Sequence, residues 1–136
     1  MIQIYFLSIF LNVLAGYILI SEDEKNTLEI KPSFFLKDET VRLVLGILSM
    51  ITGVLKLLSP VEGDLPILGD IIPAAAGFAS GFILVFEYYK NRATIIKEPE
   101  EKAALNVILV RNKKIIGYTA IVVAILHFLF PKVLLL

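Results

Sequence analysis

The chain has 136 residues, 57% of them hydrophobic, and a mean hydropathy of +0.83, a value that a soluble domain of this length rarely reaches. Its 13 Lys and Arg balance 13 Asp and Glu, so no global field points to nucleic acid or an acidic partner. With no cysteine and a single histidine, it offers no disulfide, no thiolate nucleophile and no histidine-based metal site, and no cofactor is expected.

The first apolar run, about residues 2–20, is uncharged, with Gln3, Ser8 and Asn12 as its polar members. A secretory signal would begin with basic residues and end at a small-residue cleavage site. Neither precedes the acidic Ser21-Glu22-Asp23-Glu24, so the run reads as a retained helix. The second run, about 41–59, carries Lys56 near one end; the third, about 65–86, has Asp70 near its start; the fourth, about 115–135, carries His127 and Lys132 toward its end. Roughly 20 apolar residues cross a ~30 Å hydrocarbon core as a helix, and in lipid a separated run must satisfy its own backbone, which only a helix does. The expected fold is an all-α, integral membrane four-helix bundle forming a single transmembrane domain.

The same two-helix unit occurs twice. Residues 46–60 (GILSMITGVLKLLSP) align without a gap on 117–131 (GYTAIVVAILHFLFP), and 15–22 (AGYILISE) on 80–87 (SGFILVFE). A tandem duplication of a two-helix hairpin is expected, with repeats 1–64 and 65–136. Because each repeat has two helices, both point the same way, giving a parallel pseudo-two-fold repeat along the membrane normal.

The first connection, 21–40, and the third, 87–114, are long and charged, whereas the second, 60–64, is short. Eleven of the thirteen Lys and Arg lie in or beside the two long connections; only Lys56 and Lys132 lie elsewhere. By the positive-inside rule both long connections are cytoplasmic and both termini outside, in a plasma or inner membrane. Within these connections, 27–37 (TLEIKPSFFLK) and 105–111 (LNVILVR) are β-branched and aromatic, which reads as short strands or interfacial amphipathic pieces. Residues 98–102 (EPEEK) read as the start of a short helix.

Small residues form stripes at helical spacing: Gly46, Ser49 and Gly53 in the second helix, Gly117, Ala120 and Ala124 in the fourth, and Gly77 with Gly81 in the third. Small side chains let helix backbones approach where lipid gives no hydrophobic drive, so these stripes are expected to be helix-packing positions in the bundle interior. The alternative is a narrow path with Ser8, Asn12 and Ser49 as polar waypoints.

Lys56 and His127 end the two stripes at equivalent positions, each four residues before a proline. A basic group in the hydrocarbon is costly and usually paired or functional. Near a helix end it also snorkels to the interface and complements the C-terminal dipole. Both readings stand. In the functional one, Lys56 pairs with Glu62, Asp64 or Asp70 in an outward-facing polar site that His127 approaches. Residues 59–73 hold three acidic residues, three prolines and two glycines. Asp64 before Leu65-Pro66, and Asp70 before Ile71-Ile72-Pro73, equally read as helix N-caps.

No phosphate loop, G-x-S-x-G or H-E-x-x-H occurs, so no catalytic set is visible. The chain matches a small multidrug exporter in size and helix number but has no acidic residue at mid-membrane. Arg42-Leu-Val-Leu-Gly46 followed by Gly53-Val-Leu-Lys56 resembles the R-x-x-x-G … G-x-x-K pattern of DoxX-like four-helix membrane proteins. That likeness covers about fifteen residues of the second helix, whereas the family carries the pattern on its first, and it is not read as membership. The expected role is a non-enzymatic subunit or scaffold of a membrane complex, contacting the lipid bilayer and other membrane subunits or further copies of itself. The alternative is an oligomeric channel or transporter for a small solute or ion.

Overall fold

The structure, a computed structural model, describes residues 2–21, 34–58, 70–93 and 100–130. They are helical almost throughout: α1 is Ile2–Ser21, α2 is Glu39–Leu58, α3 is Ile71–Ala93 and α4 is Glu100–Leu129, with one 3-10 turn at Phe34–Lys37. Each α-helix contains a stretch long and apolar enough to cross a membrane, and in α4 that stretch is Arg111–Leu129. The chain is thus a multi-pass membrane protein by the length and composition of its helices.

Local chemistry sets the helix ends. Before α2, Asp38 accepts a hydrogen bond from the Thr40 N–H through its carboxylate (2.8 Å) and from the Arg42 N–H through its carbonyl (3.1 Å), as an N-cap does. Glu39 in the first turn and Lys56 in the last oppose the helix dipole with the favourable signs. Asp70 stands immediately before α3 and its carbonyl accepts the Ala74 N–H at 3.1 Å. Pro73, in the first turn, has no N–H to leave unsatisfied there. At the far end of α3, Lys90 and Arg92 occupy the last turn and carry the helix beyond the apolar run.

The helix bounds depart from the sequence expectation in two places. Residues 105–111, read as a strand or an interfacial piece, lie inside α4. Glu100, Glu101, Lys102, Ala103 and Ala104 are strong helix formers that start the helix, and the apolar run beyond 115 continues it, so β-branched propensity is overridden from both sides. The helix expected from about 65 is described from Ile71; residues 65–69 lie outside the described residues. Of 27–37, the described part, 34–37, is a 3-10 turn and no strand.

The principal helix pairs are α2 with α3 and α1 with α4; α1 also meets α2 and α3, and α3 meets α4. Both principal pairs close through glycine. A Cβ placed on Gly46 would fall 2.9 Å from the Gly81 carbonyl oxygen, and one on Gly81 would fall 2.5 Å from that of Gly46. Between α1 and α4 the same relation joins Gly16 and Gly117, at 2.6 and 2.8 Å. Ala15, Ile18, Leu19, Ile83 and Leu84 form the apolar core, with Leu45 and Ile116 packed against it. The outward faces are apolar as well: Phe10, Ile51, Phe82 and Val122 are all exposed, as suits a surface solvated by lipid.

Candidate functional site

All eight small residues of the stripes, Gly46, Ser49, Gly53, Gly77, Gly81, Gly117, Ala120 and Ala124, are buried. Three of them, Gly46, Gly81 and Gly117, stand against a neighbouring helix in the glycine seams. Gly53 faces the Ala74 carbonyl, where a Cβ would fall at 2.8 Å. Gly77 leaves room for a side chain: a Cβ there would lie 2.6 Å from Asn12 Oδ1. Asn12, buried, donates from Nδ2 to the Pro73 carbonyl at 3.0 Å and so ties α1 to α3.

The interior on this side is polar. Ser8, Asn12, Ser49, Thr52, Lys56, Asp70 and His127 are all buried. On α1 and α2 they recur at three- and four-residue intervals, which places them on one face of each helix. The Ser49 hydroxyl has no hydrogen-bond partner among the described residues.

The column ends in a charged cluster that takes one residue from each helix. Lys56 Nζ on α2 lies 3.2 Å from Asp70 Oδ1 at the start of α3, with the two side chains only 2% and 9% exposed. His127 Nε2 on α4 lies 3.6 Å from the same oxygen. Tyr5 on α1 completes it. Its hydroxyl donates to the His127 carbonyl at 2.7 Å, its ring centroid is 4.7 Å from that of the imidazole, and Lys56 Nζ sits 4.9 Å from its centre. The ammonium therefore has a carboxylate on one side and an aromatic face on another, and both matter more in a dry surrounding than in water.

Lys56, Asp70 and His127 are thus brought together, and Asp70 does two jobs, its carbonyl starting α3 while its carboxylate faces Lys56. Glu62 and Asp64, the other two residues of the candidate site, lie outside the described residues. Among the described residues no three of His, Cys, Asp and Glu come together as a metal set. Sequence reasoning missed Tyr5. A signal existed: the register that puts Ala15 on Ser80 puts Tyr5 on Asp70, as the register of the other helices puts Lys56 on His127.

A second charged cluster occupies the opposite end. Glu87 on α3 takes Arg42 of α2 on Oε2 at 2.9 Å and Lys113 of α4 on Oε1 at 3.1 Å, all three side chains 14–16% exposed. Along α2, Arg42 and Lys56 are about 21 Å apart at 1.5 Å per residue. The two clusters therefore sit near the two ends of the apolar span, with the layer of Ile18, Leu19, Ile83 and Leu84 between the polar column and the Glu87 end.

A protein-family model matches residues 1–127. Across 137 aligned residues the chain is 34% identical to an uncharacterized protein of Treponema pallidum (strain Nichols), and all of both chains is covered. No solved structure matches.

Proposed function

The chain belongs to the family of the treponemal protein, and we propose that it is a small non-enzymatic membrane component, a subunit or scaffold held by the bilayer and by other membrane subunits or copies of itself. The observation that carries this reading is the filled interior: backbones in contact at the two glycine seams, and a layer of fully buried Ile18, Leu19, Ile83 and Leu84 across the middle. A body packed this way is suited to present fixed surfaces. In native gels of gently solubilised membranes, the 15.1 kDa chain should migrate in an assembly several times its own mass. In proteoliposomes the purified chain should leak ions and small solutes no faster than empty vesicles. A lone chain that raises flux would replace this reading with the second one, a channel or transporter, which the buried polar column from His127 to Ser49 favours.

The architecture we propose is a tandem duplication with a parallel pseudo-two-fold axis. Several contacts support it. The Gly46–Gly81 seam and the Gly117–Gly16 seam are the same contact under the repeat register. Ile18 and Leu19 correspond to Ile83 and Leu84 in the core. Arg42 and Lys113 are likewise equivalent and share Glu87, and the cluster at the Lys56 end draws its members from two equivalent pairs, Tyr5 with Asp70 and Lys56 with His127.

For orientation, the bias of eleven basic residues toward the two long connections supports a cytoplasmic Glu87 end and an external Lys56 end. The chain lacks cysteine, so single cysteines at Lys25, Glu62 and Lys102 are clean probes. In intact cells an impermeant thiol reagent should label position 62 and spare 25 and 102. Labelling at 25 and 102 with protection at 62 would invert the orientation.

A further inference from the structure

We propose that the outer face of α4 around Arg111 binds an anionic phospholipid, with the phosphate on the guanidinium and an acyl chain along Ile115, Tyr118 and Val122. This rests on the membrane reading of the helices and goes beyond the role as a membrane component. It holds for either orientation, and whether the chain acts alone or within an assembly.

The sequence leaves α4 short of anions. Glu101 is the last acidic residue of the chain, and Lys102, Arg111, Lys113 and Lys114 follow it before the apolar run. Lys113 turns inward, to Glu87 of α3 at 3.1 Å. Arg111 turns outward: it is exposed, and its side chain makes no ion pair or hydrogen bond among the described residues. Its neighbours on that face are apolar on both sides. At 3.6 residues per turn, Val107, Ile108, Ile115, Tyr118 and Val122 all fall within about 60° of Arg111 around the helix, and all five are exposed. Val107 and Ile108 precede the spanning stretch, which begins at Arg111, and so stand at headgroup depth. Ile115, Tyr118 and Val122 continue the face about 6 to 16 Å into the apolar layer.

That arrangement selects the ligand. An exposed cation alone suits any anion. A cation at the head of an apolar stripe that descends into the bilayer suits an anion carrying a hydrocarbon tail, because a soluble anion or an acidic peptide leaves the stripe uncovered. The planar guanidinium takes phosphate through two parallel N–H···O bonds, while its stem lies along the apolar face. An anionic headgroup is favoured over a choline one, whose own ammonium would be a further cation beside Arg111 and Lys114. The face of α2 at the same depth lacks this character. Arg42 and Lys113 share Glu87, and Ile47 lies five residues from Arg42 as Tyr118 does from Lys113. Ile47 is exposed, but its helix face leads to Thr40 and Glu39.

The chain contains no tryptophan, so Tyr118→Trp and Ile47→Trp each place a single fluorophore, one on each face. In mixed bilayers, quenching by phosphatidylglycerol with brominated acyl chains is compared with quenching by brominated phosphatidylcholine, which gives the relative affinity of the two lipids for that face. With Tyr118→Trp, phosphatidylglycerol should be favoured about fivefold, the effect of one basic residue at an anionic surface. With Ile47→Trp the two lipids should quench about equally. Adding Arg111→Gln should abolish the preference at position 118. Arg92→Gln removes the same charge from the last turn of α3 and should preserve it. Millimolar glycerol phosphate should not compete. Equal quenching at 118, an equal preference at 47, or a loss with Arg92→Gln as large as with Arg111→Gln would each overturn the proposal, the last two by showing only the general surface potential. Competition by glycerol phosphate would overturn it too, since the tail would then contribute nothing.

Discussion

Gly81→Ala should lower the stability of the folded chain in detergent by about 1–3 kcal/mol, and Gly81→Leu by more, because a side chain here overpacks a finished contact. The new Cβ would fall 2.5 Å from the Gly46 carbonyl oxygen and 3.0 Å from the Met50 nitrogen. Both are backbone atoms of a rigid helix, so neither swings aside as a side-chain tip would. The helices α2 and α3 must separate along their whole seam or tilt, and either motion opens the packing against Leu84 and Val85, which already stand 3.0 Å from a Cβ at Gly46. Gly117→Ala strikes the other seam, 2.8 Å from the Gly16 carbonyl, and should cost a similar amount. Ala75→Leu adds more bulk than Gly81→Ala, but on an exposed face of α3, and should be nearly neutral. Thermal or denaturant unfolding followed by circular dichroism separates the three. If Gly81→Ala and Ala75→Leu behave alike, the seam is looser than its geometry requires.

The spans were legible because the bilayer imposes a length, and about 20 uncharged apolar residues leave one solution. Helix ends were less so. The N-terminal extension of α4 was hidden because 105–111 carries strand-type residues, and only the helix formers at 100–104 and the span beyond decide the matter. Small residues at 46, 49, 53 and 117, 120, 124 can be phased from spacing alone, since a helix puts them on one face. What they touch cannot be: that Gly46 meets Gly81, and Gly117 meets Gly16, depends on which helices adjoin. The same limit explains the charged clusters. Glu87 takes partners 45 residues before it and 26 after it, and no local pattern encodes that choice. Tyr5 looks like an interfacial aromatic in sequence; its place between Lys56 and His127 emerges only once α1 lies beside α4. Asp70 carries two signals that sequence does not rank, an N-cap and a counter-ion, and the structure uses its carbonyl for one and its carboxylate for the other.

Asp70→Ala should be the most damaging single change at the Lys56 end, costing about 3–5 kcal/mol, the usual loss when one member of a buried ion pair is removed. The cost comes from what remains. Lys56 stays 3% exposed and has lost the carboxylate at 3.2 Å, which the Tyr5 ring at 4.9 Å does not replace. Lys56→Met should cost less than Asp70→Ala, since methionine fills much of the lysine stem's volume and the carboxylate, at the very start of α3, lies nearer the helix end and its favourable dipole. The double variant Lys56→Met, Asp70→Asn removes both charges and should recover most of the loss, as replacing a buried pair by neutral groups commonly does. That recovery distinguishes an ion pair from simple packing, because independent packing defects would add. Unfolding of the four proteins in one detergent gives the coupling directly. A double variant no more stable than the sum of its parts would show that Lys56 and Asp70 do not depend on each other, and would leave Lys56 as an anchor at the helix end.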